Sequence, residues 1–365
     1  MSLTGQDPAL LRRLNAAAVL RALYGADELT LTHLVRATSI SRSTIEDVVA
    51  GLIDEGLVEE ALPAADAPRS VGRPARRFRF RATAGHVVGV DIGPHKVLAI
   101  TADLTGNIVD SRRTTVTPET PRDERLAAAR TVIKRSLRSA GLGASDLRAI
   151  GVAASGVVDK GRVVMSSRLP DMTGADLSLA GLGDTPVVAG NDTKLATLAE
   201  HWQGVARDSA DVVYVHAGRS ISVGLLLGGR LHAGRHGAAG EIGVMHSVGW
   251  YEAFDRFQQY GGAEAVLTDA RVGSDQALAT IDAFATDLAR GVGAVALTLD
   301  PDLVVLGGGL SAWGSVLIEP LQRELSGLLL FPVRVEPSTL GADSVALGAV
   351  RLALNHVEDE LFGVS

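Results

Sequence analysis

Residues 87–96 read Val87-Val88-Gly89-Val90-Asp91-Ile92-Gly93-Pro94-His95-Lys96. A run of β-branched residues closed by glycine is the pattern of a buried strand entering a tight turn. A glycine turn of this kind opens nucleotide-binding lobes, because bare backbone N–H groups can approach a phosphate closely. Two residues oppose that use. Pro94 has no N–H to donate, and His95 places an imidazole where the backbone should come close to the ligand. The stretch predicts the frame of an enzyme with an impaired phosphate grip.

Outward from this strand, the chain from residue 85 alternates strands and helices. Apolar strand-like runs fall at 86–92, 97–103, 148–154, 186–189, 211–216, 221–227 and 303–306. Helical periodicity falls at 122–140, 193–203, 278–298, 315–329 and 344–356. Glycine-rich turns near 91 and 218 suggest two similar lobes with a cleft at the strand ends.

Composition narrows the class. The 365 residues suffice for two or three compact units, and 46% hydrophobic residues with only 4% aromatic suit an α/β protein. No apolar run approaches the roughly 18 residues of a membrane span, no signal-peptide pattern opens the chain, and a cytoplasmic location is expected. The absence of cysteine excludes disulfides and cysteine-ligated zinc. The net charge of −7 hides an asymmetry. Residues 1–85 carry 11 Arg against 10 acidic residues, and six of these arginines fall within 69–81, which holds no acid. Such a segment reads either as a local polyanion contact or as a solvated linker.

The first 60 residues read as helices. Leu10, Leu11, Leu14 and Ala18, with Leu20 to Leu23, form a first apolar stripe. Thr30 caps a second helix with Leu31, Leu34 and Val35. Ser41 or Ser43 caps a third, Ser43 and Glu46 having capping-box spacing, with Ile45, Val48, Val49, Leu52 and Ile53 inward. After Gly56, Leu57–Glu60 and Arg77–Phe80 pair as strands. Three helices and a two-stranded wing make a winged helix-turn-helix, with a small helical oligomerisation domain as the alternative. Arg42, Ser43 and Thr44 begin the reading helix and are candidate DNA contacts. Arg73, Arg76 and Arg77 of the wing join them, and Gly72-Arg73-Pro74 suits entry into a narrow minor groove.

Taken together these segments resemble the ROK family of bacterial repressors and sugar kinases. The residues concerned are VGVDIGPHK at 88–96, SGVVD at 155–159, GNDTKLATLAE at 190–200, GRLHAGRHGAAGEIG at 229–243 and DPDLVVLGGGLS at 300–311. The resemblance implies an α/β, two-lobed actin-like (ribonuclease H-like) fold behind the winged helix. The expected division is 1–82 for the winged helix, 83–200 with 344–365 for one lobe, and 201–343 for the other. It also implies that Asp192 stands where the family keeps its catalytic base, here vestigial. Asn191 and Asp192 serve equally well as helix caps. Glu241 and Glu252 match glutamates that hold sugar hydroxyls, although Glu252 reads as well as an exposed helix residue.

The departures from the family pattern are as informative. Val244 stands where the family has a zinc-ligating histidine, the cysteines are missing, and Gly249-Trp250-Tyr251-Glu252 replaces the end of the zinc loop, with Trp250 and Tyr251 suited to packing instead. His232 and His236 read as loop residues. The second phosphate turn, Gly218-Arg219-Ser220-Ile221-Ser222, retains one glycine, and only Gly307-Gly308-Gly309 matches. The expectation is a DNA-binding regulator, a repressor by resemblance, that senses a sugar or sugar derivative without kinase activity, cofactor or metal. Its partners would be double-stranded operator DNA and further copies of itself, as a dimer or tetramer. The alternatives are an ATP-dependent sugar kinase carrying a DNA-binding domain, and a regulator that has lost sugar recognition.

Overall fold

The computed structural model describes residues 8–61, 75–217 and 221–363. The head comprises α1 (Pro8–Tyr24), β1 (Leu29–Thr30), α2 (Leu31–Thr38), α3 (Arg42–Asp54), β2 (Val58–Ala61) and β3 (Arg77–Phe80). β3 pairs antiparallel with β2 on one side and with β1 on the other. The third strand was not expected. Thr30 accepts from the His33 N–H and caps α2 as anticipated. Ser41, not Ser43, caps α3 by accepting from the Thr44 N–H. The capping box does not form, because Glu46 instead pairs with Arg42 one turn back, at 3.0 Å. The expected stripe of α1 is also corrected. Leu10, Leu11 and Leu14 are exposed, while Ala17, Val19, Leu20 and Leu23 are buried. The helix outruns the small core beneath it, so only its C-terminal half packs inward.

The body contains two sheets of one topology. The first lobe has β4 (His86–Ile92), β5 (Lys96–Asp103), β6 (Ile108–Thr115), α4 (Arg122–Ser139), β7 (Leu147–Ala154), the small hairpin β8 (Val157–Asp159) and β9 (Arg162–Met165), β10 (Val187–Asn191) and α5 (Asp192–Gln203). The second has β11 (Val212–Ala217), β12 (Ile221–Leu227), β13 (Arg230–Leu231), α6 (Trp250–Tyr260), α7 (Ala263–Arg271), α8 (Asp275–Leu299), β14 (Leu303–Gly307), α9 (Ser315–Leu328) and β15 (Arg334–Pro337). The last helix, α10 (Ser344–Phe362), returns to the first lobe. The sheet orders are β6-β5-β4-β7-β10 and β13-β12-β11-β14-β15. In each, an antiparallel meander of three strands is followed by two strands parallel to the first.

β4 is buried at every position, which explains its continuous apolar run: the strand is central and covered on both faces. α10 lies against β4 and β7 because Gly89 and Gly151 face it. A Cβ at Gly151 would strike the Ala349 carbonyl, and one at Gly348 of α10 would strike the Leu195 carbonyl of α5. α10 is thereby locked between the first sheet and α5.

The head is not a separate bead. Val19, Leu20, Leu23, Phe78 and Phe80 share one core with Leu98, Ile100 and Leu104 of the first lobe and with Leu354, Val357 and Phe362 of α10. Polar contacts reinforce the join. The Tyr24 hydroxyl lies 2.9 Å from both the Leu104 carbonyl and Glu358 Oε1, and Arg21 donates to the Phe362 carbonyl at 3.1 Å.

Candidate functional site

The registers of β4, β7 and β10 bring Ile92, Ala154 and Asn191 level at their C-terminal ends. The turns that follow therefore line one edge of the sheet, where open α/β folds bind ligands. The matching edge of the second sheet presents His216, at the end of β11, beside Ser222 at the start of β12. A cavity of about 690 Å³, open mouth included, lies between these edges. It is lined by Ser155, Gly156, Ser167, Arg168, Asn191 and Asp192 from the first lobe. His216, Ser222, Glu241, Val244 and Trp250 line it from the second. Its lining is mainly polar, with two carboxylates, an arginine and a histidine facing one another between the lobes.

The two residues of the Asn191-Asp192 pair divide their work. Asn191 caps α5, its Oδ1 accepting from the Lys194 N–H at 3.0 Å, and its amide donates to the Gly156 carbonyl at 2.9 Å. Asp192 takes hydrogen bonds on Oδ1 alone, from the Thr193 N–H at 2.7 Å, the Asn191 amide at 3.1 Å and the Thr193 hydroxyl at 3.4 Å. Its Oδ2 has no partner among the described residues. The bond from Asn191 holds the turn after β7, where Gly156 has φ +104° and packs against Ser166 too closely for any side chain.

Across the cleft, Glu241 Oε1 lies 3.7 Å from the buried Lys194 ammonium. Burial pushes the Glu241 carboxyl upward, against the opposing pull of Lys194, and burial likewise pushes the Lys194 ammonium downward. His216 is half-buried, with its Nδ1 enclosed and without a hydrogen bond, and desolvation pushes its pKa below the ordinary value. Trp250 packs into the second-lobe core and donates its indole N–H to the Leu288 carbonyl at 3.3 Å. Glu252 does not join these residues. It is exposed in the first turn of α6 and does not line the cavity. His232 and His236 are exposed loop residues. Among the described residues no three His, Asp or Glu side chains cluster as metal ligands would. Arg168 and His216 were missed by sequence reasoning. His216 closes the strand-like run at 211–216 but matched no motif, and the only signal for Arg168 was an arginine shortly after the SGVVD segment.

The other end of the cleft is different in character. The Gly93 N–H donates to the Lys96 carbonyl at 3.0 Å, closing a tight turn on itself. Pro94 contributes no donor. The Lys96 ammonium lies 3.8 Å from Asp91 Oδ2 and donates to the Ala342 carbonyl. The fully buried Arg125 donates to the Gly93, Thr117 and Thr120 carbonyls and anchors the turn from behind. Asp91 is pushed up to about 7 by burial, which Lys96 only partly offsets. The second phosphate turn, with Gly218, Arg219 and Ser220, lies outside the described residues, as does the side chain of Tyr251.

On the head, Arg42 and Ser43 are exposed and Thr44 half-buried at the start of α3. Gly72, Arg73 and Pro74 lie outside the described residues. The arginines of β3 and Arg76 just before it are not the uncompensated row that their own segment suggests. Arg76 makes two 2.8 Å bonds to Glu60, Arg79 lies 2.6 Å from Glu59, and Arg77 lies 3.7 Å from Glu28. Strand pairing brings these acids in from outside the basic stretch.

A three-helix winged head on two lobes of repeated topology, with a polar cleft between them, defines a DNA-binding-type module carried on an actin-like sugar-kinase fold. A profile of the MarR family matches residues 12–67, and one of the ROK family matches residues 87–261 and 252–356. The chain belongs to the ROK family. It is 22% identical to the xylose repressor of Bacillus subtilis (strain 168), over 97% of this chain and 98% of that one. Its fold matches a ROK family transcriptional regulator, a homologue of the Escherichia coli MLC protein, with a TM-score of 0.76 and 18% identity over 97% and 98% of the two chains. A ROK family glucokinase from Streptomyces griseus, solved with glucose and AMPPNP, matches 74% of this chain and all of its own, with a TM-score of 0.63 and 22% identity. At these identities the structural matches establish the fold.

Proposed function

We propose that this protein is a DNA-binding transcriptional repressor that senses a sugar or sugar derivative in the interlobe cleft and transfers no phosphate. The observation that carries this is the unequal state of the two cleft ends. Asp192 offers an unengaged carboxylate oxygen beside a polar cavity, whereas the Gly93 N–H and the Lys96 ammonium of the first phosphate turn are engaged within the protein. A polyol suits such a cavity, since ionised carboxylates accept hydroxyl hydrogen bonds. Asp192 and Glu241 hold ligand hydroxyls, and Asn191 fixes the turns on which they depend. Glu252 has no part in this cavity.

Residues 1–82 engage the operator. Arg42, Ser43 and Thr44 enter the major groove, and Arg73 follows the minor groove. Arg76 and Arg77 exchange their exposed glutamate partners for phosphates, a small loss because exposed ion pairs contribute only about 0–1 kcal/mol. A single winged helix needs symmetric pairing to read a two-fold operator, so a cytoplasmic dimer or higher oligomer is the working form. Ligand-driven movement of α5, which begins at Asp192, passes to α10 and from there to α1. A ligand acts this way only if it prefers one lobe arrangement.

The test is a thermal-shift screen of the full chain against sugars and sugar derivatives, repeated with operator DNA. A bound sugar raises stability by mass action and weakens DNA binding. A kinase reading draws on the availability of Asp192. Robust ADP release with a hexose panel, ATP and magnesium overturns the non-catalytic assignment.

A further inference from the structure

The cleft contains a cation that has no direct partner among the described residues, although its charge favours ionised Asp91 from a distance. Arg168 lines the first-lobe wall of the cavity, half-buried, and makes no hydrogen bond or ion pair with any described residue. Among the described residues the other cations near the cleft are engaged: Lys194 with Glu241, Lys96 with Asp91, and Arg125 with three carbonyls. A guanidinium carries five donors, and leaving it half-desolvated without an acceptor is costly.

Its stem is held in place. Arg168 lies between the buried residues Ser166 and Leu169. Ser166 Oγ accepts from the Leu169 N–H at 3.1 Å, and the Ser166 N–H donates to Thr173 Oγ1 at 3.2 Å. Met172, two residues further along this turn from Pro170, is buried in the first-lobe core. Gly156 allows the cavity-lining turn of Ser155 to close onto Ser166. The guanidinium is thus carried on a fixed loop, an arrangement that lowers the entropy lost on binding. Across the cavity burial pushes the His216 pKa down, which disfavours a second positive charge there. The hydroxyls of Ser155 and Ser167 line the same wall.

We infer that the effector is an anionic sugar derivative whose carboxylate or phosphate is bound by Arg168 while its hydroxyls are held by Asp192 and Glu241. This rests on the sensor reading above. Arginine suits either acidic group, because both accept its forked donors in pairs.

The experiment is calorimetric titration of the full chain with matched ligands. Glucose, galactose and mannose are each compared with their uronate and their 6-phosphate, and inorganic phosphate is titrated alone. The expected result is an acidic member binding about 10- to 100-fold more tightly than its neutral parent. Arg168→Gln then removes that preference, bringing the acidic member down to the affinity of its neutral parent, and Arg168→Lys restores part of it. Asp192→Ala weakens acidic and neutral members together. Whether the uronate or the phosphate leads identifies the acidic group. Equal affinity for acid and parent overturns the inference, as does Arg168→Gln weakening both alike, or inorganic phosphate binding as tightly as the sugar phosphate. Binding of neutral sugars only, abolished by Asp192→Ala, overturns the inference and leaves the sensor reading standing. If nothing binds, the sensor reading itself fails.

Discussion

The two ends of the cleft are built from neighbouring strand termini of one sheet, yet one is open and the other is closed on itself. At the β10 end, Asp192 accepts on one oxygen from the Thr193 N–H and the Asn191 amide, and among the described residues its other oxygen is unengaged. At the β4 end, the turn bonds to itself, Lys96 covers Asp91, and Arg125 pins the Gly93 carbonyl. On the function proposed above, this difference is what separates a receptor from the sugar kinases that share its fold. The strands and their register survive. What changes is which polar groups remain available to a ligand.

The contrast is tested most severely by Asp192→Ala. With Asn191 retained as the cap of α5, the variant should unfold within about 1 kcal/mol of the parent. Its affinity for any sugar found by screening should fall about 100-fold or more, as two charge-assisted hydrogen bonds are lost. Calorimetry and urea unfolding on the same samples measure both, and a ligand that still binds with parental affinity removes Asp192 from the site.

Next comes Lys96→Met, at the closed end. Sugar affinity should stay within about twofold, while stability at pH 8 falls by about 1–3 kcal/mol, because ionised Asp91 loses its nearby cation. At pH 5 the loss should be smaller. A large drop in sugar affinity instead would join the two ends into one site.

A pH effect follows from Asp91 itself. Its carboxyl is held near 7 in the folded chain, against 3.8 as its ordinary value. Between those values the folded state binds more protons than the unfolded state, so stability declines as pH rises through that window. Asp91→Asn should flatten the decline, as read from urea unfolding at pH 4, 5.5 and 7. An unchanged slope assigns the effect elsewhere. The smallest expected effect is none: magnesium and ATP should leave the melting temperature of the parent unmoved, and a clear rise would show that the closed end still grips a nucleotide.

Much of this architecture was legible in the sequence because its strands are buried on both faces and its long helices are amphipathic. β4 and β12 coincide with their expected limits, and α8 and α10 extend a few residues past theirs. The short or exposed elements were not legible. β6 carries Ser111, Arg112 and Arg113 at an edge and has no apolar run. α6 and α7 fall where no helical periodicity was read, apart from the alternative reading of Glu252 as an exposed helix residue. The charges of the wing were misjudged for a related reason: a one-dimensional count places Arg76 beside Arg77, whereas strand pairing places it beside Glu60. At the site, Asn191, Asp192 and Glu241 were found through their motifs and line one cavity. Arg168 and His216 reach it through tertiary placement alone.

The shared core of the head, the first lobe and the last helix bears on how such proteins can be recombined. A graft cut after the wing would part Tyr24 from Glu358 and Leu104, and would strip the cover from Leu98 and Ile100. The portable unit is therefore discontinuous, formed from the first eighty residues together with the final two turns of the chain. A chimaera that exchanges one without the other inherits a mismatched seam, and a designer seeking a new operator for an old effector should move both.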